Sequence, residues 1–320
     1  MLFGNFIFNY IVGRSLAEGH PTKDFEHCIN RRQVKHKCSI CEDICPGRVY
    51  SGTGSRKADF VSCINCNLCV AACPTRCIAS SATNVSSFLK LLKTPEEFFY
   101  IACEQYEGDV HLKVSHFAAL SWEYLVCLGL QKRVVFLTVD VPEADEKAET
   151  VWHETLVCLK NFFGEEEFGR RFIFSDKVDY TADQEINRRE LFQKVNTELR
   201  SKFSSFAPSE DMMDGLLYRY LLRGVLTGDN TYNSFGWIVP AVSSECKGCG
   251  VCEKLCPQAA ITVKKDNGQF TVYLYPFRCN HCGLCQKTCI HHAIDGFGSI
   301  RINSLKPVIL FDSKDEDNRP

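Results

Sequence analysis

An excess of charge of either sign is missing from this chain. Its 37 Lys and Arg residues nearly cancel its 39 Asp and Glu residues, leaving a formal net charge of -2. That balance argues against a dedicated polyanion binder, although a local basic patch can still exist. No apolar run reaches transmembrane length without a charge, so no membrane span is expected. The stretch from Met1 to Gly13 is uncharged and partly apolar, but it lacks a basic n-region, and Asn5 and Asn9 interrupt it. It reads as a packed first strand or helix, with a hydrophobic docking surface as the sharper alternative. Nucleotide-binding signatures are also missing. No G-x-G-x-x-G follows a strand-like run, and GTGS at 52–55 reads as a turn. Neither H-E-x-x-H, a nucleophile elbow nor a flavin fingerprint occurs.

What remains is ordinary globular chemistry with one exception. Apolar residues make up 45% and charged residues 24% of 320 positions, enough for two to three domains with real cores. The exception is 20 cysteines. Disulfide frameworks suit small secreted chains without a core, so these read as reduced thiols in a cytoplasm, used for metal or redox chemistry.

Sixteen of the twenty cysteines fall into four groups. The third is Cys246-x2-Cys249-x2-Cys252-x3-Cys256-Pro257, and the fourth is Cys279-x2-Cys282-x2-Cys285-x3-Cys289. They superpose cysteine on cysteine from Cys246 and Cys279 onward, CKGCGVCEKLCPQAAI against CNHCGLCQKTCIHHAI. The second is Cys63-x2-Cys66-x2-Cys69-x3-Cys73-Pro74, and the first is looser, Cys28-x9-Cys38-x2-Cys41-x3-Cys45-Pro46. A [4Fe–4S] cube needs four thiolates, and three cysteines at x2 spacing wrap a short loop around three corners. Zinc is the alternative metal, but such a run overfills one zinc site.

These motifs resemble the bacterial-type two-[4Fe–4S] ferredoxins, over about 24–82 and again over about 237–304. The resemblance implies that paired motifs exchange their fourth ligand. Cys246, Cys249 and Cys252 would bind a cluster with Cys289, and Cys279, Cys282 and Cys285 one with Cys256. Cys63, Cys66 and Cys69 would pair with Cys45, and Cys38 and Cys41 with Cys73, Cys28 being the expected fourth ligand. Four clusters follow. Two departures stand out. The x9 gap inserts a basic loop at 31–37 (Arg31, Arg32, Lys35, His36, Lys37), and Ile290 replaces the proline after Cys289. The loop can tune a cluster, dock an acidic partner or simply be solvated. Nucleic-acid binding is not expected, because no groove-reading motif accompanies it.

The expected architecture is two α+β ferredoxin-like dicluster modules flanking a small α/β parallel-sheet domain. The segments are an N-terminal apolar stretch (1–23), a module (24–82), a middle domain (95–205), a helical connector (206–236), a second module (237–305) and a polar tail (306–320). In the middle, Phe98 to Cys103, Val110 to Val114, Val134 to Val139 and Phe172 to Phe174 read as strands. Phe117 to Leu130, Glu146 to Phe163 and Asp183 to Phe203 read as helices, giving three layers. Cys77, Cys127 and Cys158 read as buried thiols. Cys103, at a strand's C-terminal end, is either buried or reactive. His281, His291 and His292 would hydrogen-bond near a cluster. A radical-SAM triad is unsupported, because Arg48, Arg76 and Ala259 stand where its third cysteine would be.

The expected function is an iron–sulfur electron-transfer protein or subunit, working with redox protein partners or inside a larger oxidoreductase complex. Docking would use the N-terminal apolar segment or the basic loop, and an oxygen-poor cytoplasm would suit the clusters. The alternative is an oxidoreductase whose clusters feed an active site in the middle domain. A purely structural or sensing role ranks below both.

Overall fold

The computed structural model describes residues 20–25, 28–32, 38–50, 58–79, 97–143, 145–178, 235–302 and 306–315. Positions 1–19, most of the basic loop, the GTGS turn, the expected helix over 183–203 and nearly all of the connector lie outside the described residues.

The N-terminal module consists of β1 (Thr22–Lys23), α1 (Ile29–Arg32), α2 (Ile40–Asp43), α3 (Leu68–Ala72) and β2 (Ile78–Ala79). Helices α2 and α3 are short because cysteines at x2 and x3 spacing leave room for little more than one turn in each motif. β1 and β2 pair antiparallel, Thr22 opposite Ala79 and Lys23 opposite Ile78, so the two ends of the module meet. Its interior is built largely of cysteine, with Cys28, Cys69, Cys73 and Cys77 buried beside Val49, Tyr50 and Ile78.

The middle domain follows as β3 (Phe98–Cys103), β4 (Leu112–Val114), α4 (Trp122–Gly129), β5 (Arg133–Leu137), α5 (Glu146–Phe163), α6 (Glu165–Arg171) and β6 (Phe172–Ser175). The four strands form one parallel sheet in the order β4-β3-β5-β6. Val134 to Leu137 are all buried, as the unbroken apolar run requires of a strand covered on both faces. Helix α5 starts where Asp145 accepts a hydrogen bond from the Ala148 N–H at 2.8 Å. Glu146 and Glu149 face the positive end of that helix. It stops at Gly164, whose φ of 83° is open to glycine.

Three features of the middle domain differ from the sequence expectation. The helix expected over 117–130 is split into a 3₁₀ turn, Phe117–Ala119, and α4. The break comes from Ser121, whose side chain accepts from the Tyr124 N–H at 3.3 Å and so starts the helix afresh. Helix α6 lies outside the sequence expectation. Its three glutamates at the start and two arginines at the end suit a helix dipole, and Phe168 supplies its one buried anchor. Among the described residues helices cover one sheet face only. Tyr100, Ala102, Val135 and Leu137 on the other face pack against Tyr106, Val110, Ile173 and Val178.

The C-terminal module consists of β7 (Phe235–Val242), α7 (Val251–Leu255), β8 (Ile261–Asp266), β9 (Gln269–Leu274), α8 (Leu284–Thr288), β10 (Ile294–Ile302) and β11 (Val308–Asp312). β7 and β10 pair antiparallel around the two cysteine motifs, as β1 and β2 do in the first module. β8, β9 and β11 form a separate antiparallel sheet in the order β11-β9-β8. The expected connector therefore yields to strand at Phe235. The expected tail also carries β11, where Phe311 turns inward and stacks on Phe270 at 5.6 Å.

The middle domain and the C-terminal module share one core. Trp237 of β7 is 1% exposed and sits within 5.8 Å of Trp122, 6.1 Å of Phe162 and 5.0 Å of Phe277, measured between ring centroids. The N-terminal module rests on the other flank. Leu68 and Ala71 of α3 pack with Ala118, Ala148 and Val151, and the Ser115 hydroxyl donates to the Cys66 carbonyl at 3.1 Å.

Candidate metal centres

The sixteen motif cysteines gather as four sets of four. Cys246, Cys249, Cys252 and Cys289 line one open cavity of about 490 Å³. Cys45, Cys63, Cys66 and Cys69 line another of about 350 Å³. Cys28, Cys38, Cys41 and Cys73 line a third of about 300 Å³, together with Cys77. In the fourth set Cys285 lies within electrostatic reach of Cys279, Cys282 and Cys256. Each set draws three cysteines from one motif and one from its pair. The sulfurs line cavities and do not converge on a point. Among the described residues no three His, Cys, Asp or Glu side chains sit close enough to hold a single metal ion.

A repeated backbone device closes every motif. The carbonyls of Cys45, Cys73, Cys256 and Cys289 accept from the N–H three residues on, at 3.3, 3.1, 3.2 and 3.2 Å. That third residue has positive φ in each case: Arg48 at 50°, Arg76 at 54°, Ala259 at 46° and His292 at 51°. The turn then aims the next N–H at the cysteine sulfur. Val49 donates to Cys45 Sγ at 3.4 Å, Ala260 to Cys256 Sγ at 3.2 Å and Ala293 to Cys289 Sγ at 3.3 Å, and the Cys77 N–H serves Cys73. The fourth motif makes this turn without its proline, so Ile290 changes nothing in the local path.

Inside the motifs the chain is left-handed at Asn65 and Asn67, Gly248 and Gly250, and His281 and Gly283. These are matching positions, two and four residues after the first cysteine of each run. Such conformations turn successive N–H groups toward one centre, which suits an anionic group. The first motif departs here too, because Ser39, at the position of Asn67, has φ of -113°.

Burial first, and then neighbouring sulfurs, raise the thiols of Cys38, Cys41, Cys66, Cys69, Cys246, Cys252 and Cys285. Burial, then the neighbouring Cys246, pushes Cys252 up to about 11. Cys69 and Cys285 are driven higher still, by burial first and then by their partner cysteines. Four clustered thiols that repel one another as thiolates fit a group that brings iron's positive charge and accepts N–H donors at sulfur.

Cys28 joins Cys38, Cys41 and Cys73 despite its x9 gap. Cys77, which the sequence presents only as a buried thiol, is buried but not idle. Its Sγ lies 3.5 Å from Cys73 Sγ, and it also hydrogen-bonds Cys28. That contact draws Cys28 down to about 6 and Cys73 to about 5, while Cys77 keeps its proton. The only local signal of this partnership is the residue type itself, since Val49, Ala260 and Ala293 hold the same place in the other motifs.

The other cysteines stand apart from these sets. Cys103 is wholly buried, and burial pushes its thiol up to about 11. Cys127 and Cys158 are raised by burial as well. His281 stacks on Trp122 at 5.9 Å and 18°, and His291 lines the cavity of Cys246. Of the basic loop, Arg31 is described and exposed, and Lys35, His36 and Lys37 lie outside the described residues. Among the described residues no helix is long and apolar enough to cross a membrane.

Comparison with known families agrees with the cysteine pattern. The model of the 4Fe-4S dicluster domain matches residues 245–293, and that of a 4Fe-4S binding domain matches residues 62–76. Each half of the chain thus contains a region similar to known 4Fe-4S domains. A search of the curated proteins found no match, and neither did a search of the solved structures.

Proposed function

We propose that this chain is an electron-transfer protein or subunit that holds four [4Fe–4S] clusters in two ferredoxin-like modules and relays single electrons between redox partners. The observation that carries this reading is the fourfold gathering of cysteines, three from one motif and one from its pair, each closed by the same turn with an N–H aimed at sulfur. Bound there, the clusters supply one-electron storage at potentials that the protein adjusts.

The proposed ligands are the sixteen motif cysteines, with Cys28 completing the set of Cys38, Cys41 and Cys73. The polypeptide does three things toward that end. Its thiols fix the group, its N–H donors stabilise charge on sulfur, and apolar side chains such as Val242, Ile261 and Leu310 line the cavity around it. The middle domain holds the modules in place. Partners would be redox proteins or the remainder of a larger complex, in an oxygen-poor cytoplasm. An active site in the middle domain has less support, because Cys103 at its strand end is buried and unreactive in character.

The test is iron and acid-labile sulfide per chain on anaerobically purified protein, with an EPR spectrum after dithionite reduction. About sixteen of each, with signals from interacting reduced centres, is the expected result. Stoichiometric zinc with little iron would overturn the reading.

A further inference from the structure

The four sites are not equivalent, and the difference bears on where an electron would settle. This inference rests on the iron–sulfur reading above. In three motifs the residue four places after the last cysteine is Val49, Ala260 or Ala293, and in the remaining one it is Cys77. Cys77 is 1% exposed and lines the cavity of Cys28, Cys38, Cys41 and Cys73. Its sulfur stands 3.5 Å from Cys73 Sγ, and it is hydrogen-bonded to Cys28 as well. Ligands at different corners of a cube stand apart from one another. Two sulfurs at hydrogen-bond distance therefore do not occupy two corners, and Cys77 is left as an S–H donor to a ligand sulfur.

A second group reaches the same site from a different element. The pairing of β1 with β2 sets Lys23 opposite Ile78, beside Cys77. The Lys23 ammonium then donates to Cys41 Sγ at 3.5 Å and lies 5.2 Å above the Tyr50 ring. One site thus receives both a thiol donor and a positive charge at its sulfurs.

We propose that the site of Cys28, Cys38, Cys41 and Cys73 holds the highest-potential cluster of the chain, with Cys77 and Lys23 as the residues that raise it. Reduction adds one electron from the donor protein and moves no proton. The added negative charge spreads onto the ligand sulfurs, and a fixed S–H and a fixed ammonium stabilise it there. An electron that equilibrates among the sites comes to rest here first.

The experiment is a dithionite redox titration of the full, anaerobically loaded chain, followed by EPR, with iron and sulfide counted for every variant. Cys77→Ala and Lys23→Gln are each expected to lower the highest midpoint alone and leave the iron content as in the parent. The reduced-to-oxidised ratio of that one centre should fall on the order of tenfold, or about 59 mV for a one-electron couple. Cys77→Ser keeps a donor and is expected to restore most of the shift. Loss of one cluster's iron in both Cys77→Ala and Cys77→Ser would make Cys77 a ligand and overturn the proposal. So would full iron with an unmoved highest midpoint. A parent chain that takes up no iron and sulfide would instead overturn the functional reading itself.

Discussion

Arg76 and Glu123 meet as a buried, two-pronged ion pair, Nη2 to Oε2 at 2.7 Å and Nε to Oε1 at 3.0 Å. Arg76 belongs to the turn after Cys73, and its Nη1 also donates to the carbonyls of Ala71 and Cys73. Glu123 lies on α4, next to Trp122, which stacks on His281 of the fourth cysteine motif. Neighbouring residues of one short helix thus touch the cysteine loops of both modules. Removing one partner of such a pair strands a desolvated charge, at a cost of about 3–5 kcal/mol. Glu123→Ala should lose that much in anaerobic denaturant titrations. Arg76→Met with Glu123→Leu should recover most of it, and a double-variant loss equal to the sum of the two single-variant losses would show the two residues to be uncoupled.

Gly236 sets the approach of β7 to α5. A methyl group built there would stand 1.8 Å from the Asn161 carbonyl oxygen, and backbone cannot yield as a flexible side chain can. Gly236→Ala must part strand from helix or displace Trp237 from its aromatic pocket. Overpacking of this kind costs about 1–3 kcal/mol. A lowered thermal midpoint is expected, while Gly296→Ala, with nothing within 4 Å of its added methyl, should leave the midpoint unchanged.

The sequence makes local things visible and long-range ones invisible. Cysteine spacing is legible because three ligands of each set sit close together along the chain, and the repeat itself exposes their pairing. β3 and α5 are legible to the residue, since an apolar run and an acidic cap act through neighbours. Ser121 is a local signal too, but the apolar periodicity running across it conceals a helix start. Arg76 meets Glu123 across 47 positions, and neither leaves a periodic trace. Trp237 joins two regions that read as separate because the residues before it look like a connector. The left-handed turns at Arg48, Arg76, Ala259 and His292 fall on two arginines, an alanine and a histidine, none of them glycine or asparagine, the residue types that most readily take positive φ, so only the backbone reveals the repeat.

Cys103 gives a pH prediction. Its folded thiol is raised from an ordinary value of 9.0 to about 11, with burial as the largest cause. Between those values the folded state holds a proton that the unfolded state has released. Its contribution is therefore complete below pH 9 and is lost as pH rises toward 11. Stability measured from pH 8 to 11 should fall less steeply in Cys103→Ala than in the parent, by up to about 2 kcal/mol. Identical slopes would mean that the thiol is no more buried than an unfolded one. The same burial predicts negligible alkylation of Cys103 by iodoacetamide at neutral pH in the native chain.

Ile290 tests whether the turn or the proline shapes the end of a motif. Cys289 already has φ of -68° and ψ of 108°, close to the ψ of 114° at Cys73 and 116° at Cys256, both of which precede proline. That extended conformation is the one a following proline demands. Ile290 is 65% exposed, and the turn closes through the His292 N–H at 3.2 Å, not through that of Ile290. Ile290→Pro therefore meets no clash and loses no hydrogen bond of the turn, while it removes freedom from the unfolded chain. A gain of about 0.4–1 kcal/mol is expected, with iron content and EPR spectrum unchanged. A loss of iron in this variant would mean that the Ile290 N–H itself serves the sulfurs of its set, and that the missing proline marks a different end to the fourth motif.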